Sequence, residues 1–168
     1  LQIWEGLAYL RPIGNALRHH KKLHIRYQKF TDEEPYDAVL HPYCLKADKG
    51  RWYMLAYKEA SEHQAQTFAL DRTLSLSVMQ EDFTPNSHID PEHYFDDCYG
   101  IWHDFEHFPV REFQIACTEH VAHYLRTLPL HHSQVEICKE QVTSHQKEKI
   151  SDNKLCTVYF QFHISPSP

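Results

Sequence analysis

The segment KGRWYMLAYK places an arginine and several aromatic rings in one short apolar run. Side chains of a β-strand alternate between its two faces, so Arg51 and Tyr53 would share a face, about 7 Å apart. A guanidinium can grip phosphate through two parallel hydrogen bonds, and an aromatic ring can stack on another flat ring. The pattern predicts a half-buried strand with a cationic, aromatic outer face. The inner face would hold Trp52, Met54 and Ala56.

The fifteen histidines raise the question of a metal site. HDFEH (103–107) and EHVAH (119–123) each place two candidate ligands one helical turn apart. A zinc site needs three or four ligands, and no third ligand follows at a motif spacing. HDFEH also differs from the HExxH motif, because its second residue is Asp104. We therefore expect neither a metal nor a cofactor.

Catalytic and targeting motifs are missing from the sequence. It has no GxSxG, no glycine-rich phosphate loop among its four glycines, and no cysteine placed with a histidine partner, so we expect no enzyme. Five scattered cysteines without a CxxC pair favour reduced thiols in the cytoplasm. No run approaches the roughly 18 apolar residues of a membrane span, and no signal peptide is evident. We expect a cytoplasmic fragment of a longer protein.

The net charge of −6 is unevenly distributed. Residues 1–31 carry six basic side chains and one acid, whereas residues 73–110 carry eight acids and no lysine or arginine. Affinity for duplex DNA comes from many lysine and arginine contacts to phosphate, so an acidic chain is a poor general DNA clamp. A local basic site remains compatible with this distribution.

Hydrophobic periodicity divides the chain into four parts. Residues 1–22 form a helical lead-in, and residues 23–80 hold five short strands separated by tight turns, which is typical of a small antiparallel barrel. Residues 81–108 form an acidic, aromatic linker. Residues 109–168 follow a strand, helix, strand, strand pattern, with Thr118 as the helix N-cap. The predicted class is α+β, with a barrel and a partial, ferredoxin-like C-terminal extension.

The motifs HPYCLKADKGRWYMLAY (41–57) and TFALDRTLSL (67–76) resemble the WYL domain of bacterial transcription regulators. IRYQKF (25–30) falls where that family has a similar strand, and RWYM occupies the place of the Trp-Tyr-Leu motif, with Met54 replacing the leucine. FDDCYGIW (95–102) and PLHHSQVEI (129–137) resemble the linker and C-terminal extension that follow WYL domains. The resemblance covers nearly the whole chain.

The resemblance implies an Sm-like (SH3-like) β-barrel that senses a nucleic-acid-type ligand, either a single-stranded oligonucleotide or a nucleotide. It implies a cytoplasmic homodimer that reaches operator DNA only through an N-terminal helix-turn-helix domain lying outside this chain. Five positions match polar and aromatic elements of the family and would line one cationic pocket, which Arg26 would extend. The predicted ligand-binding residues are His41, Tyr43, Arg51, Tyr53, Arg72 and Arg26.

Other interpretations remain open. In a purely structural interpretation, Tyr43 and Tyr53 are core rings and Arg72 is a charge paired with Asp71. In a domain that serves only dimerisation, Trp52 and Tyr53 would belong to the core and the interface, and the cationic cluster would be incidental. Alternatively, an Sm-like fold would bind RNA directly, although such barrels assemble as rings and the net charge of −6 opposes it. Salt-sensitive oligonucleotide binding separates the sensing domain from the dimerisation module.

Overall fold

The structure is a computed structural model of the 168-residue chain, and it describes residues 6–59, 65–102, 107–142 and 158–165. The chain divides into two compact units, Leu1–Tyr94 and Phe95–Pro168. Both units combine helix with antiparallel sheet. In the described ranges, no helix is both long and apolar enough to cross a membrane.

In the first unit, one α-helix precedes a five-stranded antiparallel sheet. Helix α1 spans Leu10–Arg18 and follows a 3-10 turn at Leu7–Tyr9. A second 3-10 helix, Leu70–Arg72, connects the last two strands. The sheet order is β4-β3-β2-β1-β5. The strands are β1 (Lys21–Tyr27), β2 (Tyr36–Asp48), β3 (Arg51–Lys58), β4 (Ala65–Ala69) and β5 (Thr73–Asp82).

The core of this unit lies between α1 and one face of the sheet. Ile13 and Ala16 of α1 are fully buried and belong to the same apolar cluster as Leu23 of β1. Met54 and Ala56 of β3 also belong to it, as strand alternation predicted, whereas Trp52, predicted on the same inner face, lies outside the cluster and is exposed. Burying a large aliphatic side chain stabilises the fold by about 1.5–3 kcal/mol. The helix therefore fixes which face of β3 is turned away from the core.

The closed barrel predicted from strand spacing is not found. β4 and β5 are the two edges of the sheet, and no ladder joins them in the described part of the chain. Pro42, expected at an edge strand or a bend, lies in the interior strand β2, beside a bulge between Pro42 and Cys44. The ladder with β1 ends at Leu40, so the missing N–H of Pro42 removes no hydrogen bond there.

A two-residue turn at Lys49 and Gly50 connects β2 to β3. Both residues have positive φ, 47° and 79°, which is the backbone of the tight hairpin turn that matches strand twist. Asp48 and Arg51 pair directly across its base. The turn therefore fixes the position of Arg51 at the end of β3.

The 3-10 helix Leu70–Arg72 lies close against Gly6. A Cβ atom at Gly6 would lie 2.7 Å from Cβ of Leu70 and 2.8 Å from its carbonyl carbon. Leu70 is itself buried in the main core. Only glycine allows this close approach, which holds Asp71 and Arg72 at the end of β4.

The second unit is a split β-α-β arrangement with one further 3-10 helix, Lys139–Gln141. β8 lies between β6 and β7 and is antiparallel to both. The predicted N-cap is confirmed, since the hydroxyl of Thr118 accepts a hydrogen bond from Val121 N–H. Ala122 of the helix contacts Phe160 in the core. The elements are β6 (Arg111–Cys117), α2 (Glu119–Thr127), β7 (Val135–Ile137) and β8 (Val158–Ile164).

Candidate functional site

The six predicted ligand residues lie at three places in the first unit. His41 and Tyr43 contact Phe83, which follows β5. Arg26 lies on the exposed side of β1. The remaining three lie on or beside the 3-10 helix that carries Asp71, and they are Arg51, Tyr53 and Arg72.

His41 is packed between two aromatic rings. It is stacked on Phe83, with ring centroids 4.8 Å apart, and is tilted against Tyr57 at 5.5 Å. Its Nε2 atom is buried, lies 3.7 Å from a carboxylate oxygen of Glu59, and has no hydrogen-bond partner among the described residues. Burial lowers the pKa of His41; Glu59 partly opposes this shift, and Lys22 adds to it. This imidazole is held neutral inside an aromatic cluster.

Tyr43 is the extra residue of the bulge in β2. Its hydroxyl accepts a hydrogen bond from the backbone N–H of Asn86 at 3.0 Å, and its ring lies 5.8 Å from Phe83. The hydroxyl of Tyr94 donates to the carbonyl of Ala65 at 3.1 Å. Contacts of this kind hold the segment after β5 against the side of the sheet opposite α1. His41 and Tyr43 therefore have packing partners of their own.

Arg51 and Asp71 form an ion pair at the surface. Nη1 of Arg51 lies 3.6 Å from Oδ2 of Asp71, and the Arg51 side chain is 45% exposed. The other carboxylate oxygen of Asp71 is buried and has no hydrogen-bond partner in the described ranges. Tyr53, two residues along β3, pairs with Ala69 just before the 3-10 helix. The hairpin and the 3-10 helix thus bring Arg51 and Tyr53 beside Asp71 and Arg72.

Arg72 lies over an aromatic ring and beside a phenol. Its Cζ atom is 4.2 Å from the ring centroid of Phe30, and its Nε atom is buried without a hydrogen-bond partner in the part of the chain described. Burial raises the pKa of Tyr27, while the amide of Ala69 and the nearby charge of Arg72 lower it. The guanidinium therefore lies over the Phe30 ring, and its charge acts on the Tyr27 hydroxyl.

Phe30 is a site residue that the sequence analysis missed. It is 77% exposed, although phenylalanine is usually buried. The available signal was an aromatic residue directly after a strand, within the polar stretch QKFTDEE. Its relation to Arg72 could not be anticipated, because 42 positions separate Phe30 from Arg72 in the sequence.

The candidate site consists of Phe30, Arg51, Tyr53, Asp71 and Arg72. Its two guanidinium groups carry two positive charges against one from Asp71, so the local balance is positive. Three acids, Asp32, Glu33 and Glu34, follow Phe30 within four residues and oppose this positive charge on that side. The site therefore has a cationic side at the arginines and an aromatic side bordered by acids.

Arg26 pairs weakly with Asp37 on the neighbouring strand. Its Nη1 lies 3.8 Å from Oδ2 of Asp37, and half of the arginine side chain is exposed. Nε2 of His24 lies 3.6 Å from the other oxygen of the same carboxylate. Exposed pairs of this kind contribute little to stability. Arg26 thus faces Asp37 across the sheet and not Asp71.

The candidate metal motifs take other roles where they are described. Residues 103–106 of HDFEH lie outside the described residues. In EHVAH, Glu119 accepts a hydrogen bond from Arg126 at 2.6 Å, and His123 lies 3.9 Å from the same carboxylate. Within the described ranges, no group of three or more His, Cys, Asp or Glu side chains is arranged to hold a metal ion.

Comparison with known proteins identifies a matching family and similar solved structures. The family model of the WYL domain matches residues 8–78. A solved structure of Proteasome accessory factor B/C (PafBC) of Arthrobacter aurescens is similar, with 25% sequence identity and a TM-score of 0.43. The similarity covers 47% of this chain and 12% of that one. No curated protein sequence matches the chain.

Proposed function

We propose, on the premise that residues 8–78 of this chain form a WYL domain, that the chain is the effector-sensing part of a transcription regulator. The effector is a nucleic-acid-type ligand, a single-stranded oligonucleotide or a nucleotide. DNA binding belongs to a domain outside this chain, and the regulator is a cytoplasmic homodimer. Ligand binding changes operator affinity only if the ligand binds two arrangements of the dimer with different affinities.

One observation carries this proposal. Arg51 of β3 pairs with Asp71 of the 3-10 helix Leu70–Arg72, which also carries Arg72, and the guanidinium of Arg72 lies over the exposed ring of Phe30. Guanidinium groups bind phosphate oxygens in pairs, and exposed rings stack on bases irrespective of their sequence. The same small surface therefore offers both kinds of contact that a single-stranded nucleic acid requires.

The Sm-like fold belongs to the same proposal. It is supported by a helix that precedes five antiparallel strands, with β1 in the interior and β4 and β5 at the edges. We further assign Phe95–Pro168 as the C-terminal extension of the WYL domain. Its split β-α-β arrangement supports the ferredoxin-like class expected from the sequence.

The test is fluorescence anisotropy of the whole chain with short single-stranded DNA and RNA at about 50 and 200 mM salt. We expect micromolar or tighter binding that weakens as salt increases. Arg51→Ala should lower the slope of log affinity against log salt by about 0.7, the value for one phosphate contact on a single strand. Arg72→Lys should weaken binding with little change in slope, because lysine keeps the charge but loses the planar fork.

Arg18→Ala is the matched control. Arg18 is an exposed arginine at the end of α1, distant in sequence from the 3-10 helix Leu70–Arg72. The variant removes the same charge and should leave both affinity and salt slope nearly unchanged. Equal losses from Arg18→Ala and Arg51→Ala would mean that only overall charge matters, which contradicts the assignment of this site.

A dimerisation module is the second candidate function, and β5 supports it. This ten-residue edge strand exposes 53% of Leu74 and 40% of Val78, and contains no lysine, arginine or proline. Natural edge strands usually carry such residues to prevent pairing with another chain. Dimers by light scattering, combined with no oligonucleotide binding at either salt concentration, would favour this function over ligand sensing.

A further inference from the structure

The turn that carries Phe30 is fixed by several hydrogen bonds. Asp32 N–H donates to the carbonyl of Lys29 at 3.1 Å, and the Asp32 carboxylate accepts from Lys29 N–H at 3.1 Å. The amide side chain of Gln28 donates to the carbonyls of Asp32 and Glu33, both at 3.3 Å. Gln28 N–H also donates to the carbonyl of Arg72 at 3.2 Å. The ring of Phe30 is thereby positioned relative to the 3-10 helix before any ligand binds.

The two faces of the Phe30 ring have different surroundings. The guanidinium of Arg72 covers one face at 4.2 Å, a cation–π contact. With 77% of the residue exposed, the remainder of the ring is open to solvent. A single exposed aromatic residue has no special meaning on a protein surface. Phe30 differs because an arginine with a buried Nε holds one side of it.

The charges around the ring indicate which part of a ligand belongs there. Asp32, Glu33 and Glu34 follow Phe30 within four residues and repel phosphate. Arg72 on the 3-10 helix Leu70–Arg72 and Arg51 on the adjacent strand β3 attract phosphate. A neutral flat base therefore suits the ring, whereas a phosphate suits the arginines.

We propose that Phe30, backed by Arg72, is the base-stacking platform of this site and makes the domain select ligands that carry a nucleobase over ligands that carry phosphate alone. This inference rests on the proposed function, because it concerns the same nucleic-acid-type ligand. Phe30 would distinguish ligands with a base from ligands without one, and Arg51 and Arg72 would attract the phosphate charge. We also expect little dependence on base sequence, since every base has a face that can stack.

The experiment compares two single-stranded DNA probes of about eight nucleotides, within the range covered by known single-strand sites. One carries bases throughout, and the other is abasic with the same number of phosphates. Binding to the wild-type chain, Phe30→Leu and Phe30→Trp is measured by anisotropy at one salt concentration. Position 30 is exposed, so both variants should fold, and circular dichroism checks this.

We expect the wild-type chain to bind the base-containing probe about tenfold more tightly than the abasic probe, the effect of stacking one base. Phe30→Leu should reduce this preference to less than about threefold, because the base loses its stacking surface while both probes carry the same number of phosphates. Phe30→Trp should retain the preference, because the indole offers a larger stacking surface.

Equal wild-type affinity for the two probes would overturn the platform while leaving the proposed function intact. An unchanged preference in Phe30→Leu would overturn the role of Phe30 in the same way. If the wild-type chain binds neither probe, both the platform and the proposed function are wrong. The abasic probe thus distinguishes the two failures.

Discussion

At the scale of single residues, His41 shows how packing sets the protonation of a side chain. Its ring is stacked on Phe83, and its Nε2 atom is buried. A charged imidazole would lose its hydration there, so its pKa is lowered. Glu59 opposes this shift, whereas Lys22, which donates to Glu59 at 2.5 Å, lowers the pKa of His41 further. In the folded domain, neutral His41 is favoured.

His41 should make the domain less stable in mild acid. Above the unfolded pKa of about 6.5, His41 is neutral in both states and has no effect. As the pH falls below that value, the unfolded chain binds a proton that folded His41 resists, so the free energy of unfolding decreases. His41→Phe keeps a ring beside Phe83 and removes this titration. We expect the variant to lose less stability than the wild-type chain between pH 7.5 and 5.5 in urea titrations.

The other fourteen histidines are common to both proteins, so the difference between the two pH profiles isolates His41. Parallel profiles would contradict the buried, neutral imidazole. A steeper loss in His41→Phe would mean that Glu59 outweighs burial and that His41 is charged in the folded state.

At the scale of elements, the 3-10 helix Leu70–Arg72 determines where the charged groups of the candidate site lie. Leu70 anchors this helix in the core. Gly6 lies so close to Leu70 that a Cβ atom at position 6 would be only 2.7 Å from Cβ of Leu70. Strand β3 pairs with β4 up to Ala69, which places Arg51 and Tyr53 beside the helix. Two hairpins and one glycine contact therefore assemble residues separated by more than twenty positions.

Gly6→Ala should displace this helix. The new methyl group would lie less than 3 Å from Cβ and from the carbonyl carbon of Leu70, so the backbone at one of the two positions must move. We expect a loss of about 1–3 kcal/mol in unfolding free energy, the usual cost of overpacking a core. Oligonucleotide affinity should fall as well, because Arg72 moves with Leu70. Urea denaturation and anisotropy measure the two effects.

Gly14→Ala is the matched control. Gly14 lies within α1, and its added Cβ atom would have no atom within 4 Å. Alanine is favoured over glycine inside a helix by about 1 kcal/mol, so this variant should be slightly more stable and bind normally. If Gly6→Ala behaves like Gly14→Ala, the close contact with Leu70 does not hold the 3-10 helix in place.

At the scale of the whole molecule, a net charge of −6 surrounds a small cationic site. The acids after Phe30 lie in the same turn, whereas the acids of residues 73–110 are spread over β5 and the segment that follows it. Coulomb interactions at the surface are screened over about 8–10 Å in ordinary buffers. Local acids should therefore affect ligand affinity more than distant ones do.

Glu33→Gln combined with Glu34→Gln should strengthen oligonucleotide binding severalfold at low salt, because two repelling charges next to the site are removed. The gain should shrink at high salt. Glu81→Gln with Glu92→Gln produces the same net charge of −4 from two exposed acids elsewhere in the unit and should change affinity less. Equal gains in both pairs would show that only net charge controls binding.

The sequence by itself determined the local elements of this protein. Strand alternation placed Met54 and Ala56 in the core, and the threonine before α2 predicted its N-cap. These predictions succeeded because hydrophobic periodicity, turn chemistry and helix capping depend on residues only a few positions apart in the sequence. The WYL resemblance was also readable, since its motifs are contiguous segments within residues 8–78.

Only the tertiary structure decided which side chains meet. It left the sheet open, covered His41 and Tyr43 with residues that follow β5, and placed Arg72 over Phe30. Packing interactions throughout the unit together determine how the sheet bends and where the segment after β5 runs. They also determine contacts between residues as distant in sequence as Phe30 and Arg72, 42 positions apart. No local pattern encodes these interactions, so the sequence predicted the chemistry of the site residues but not their grouping.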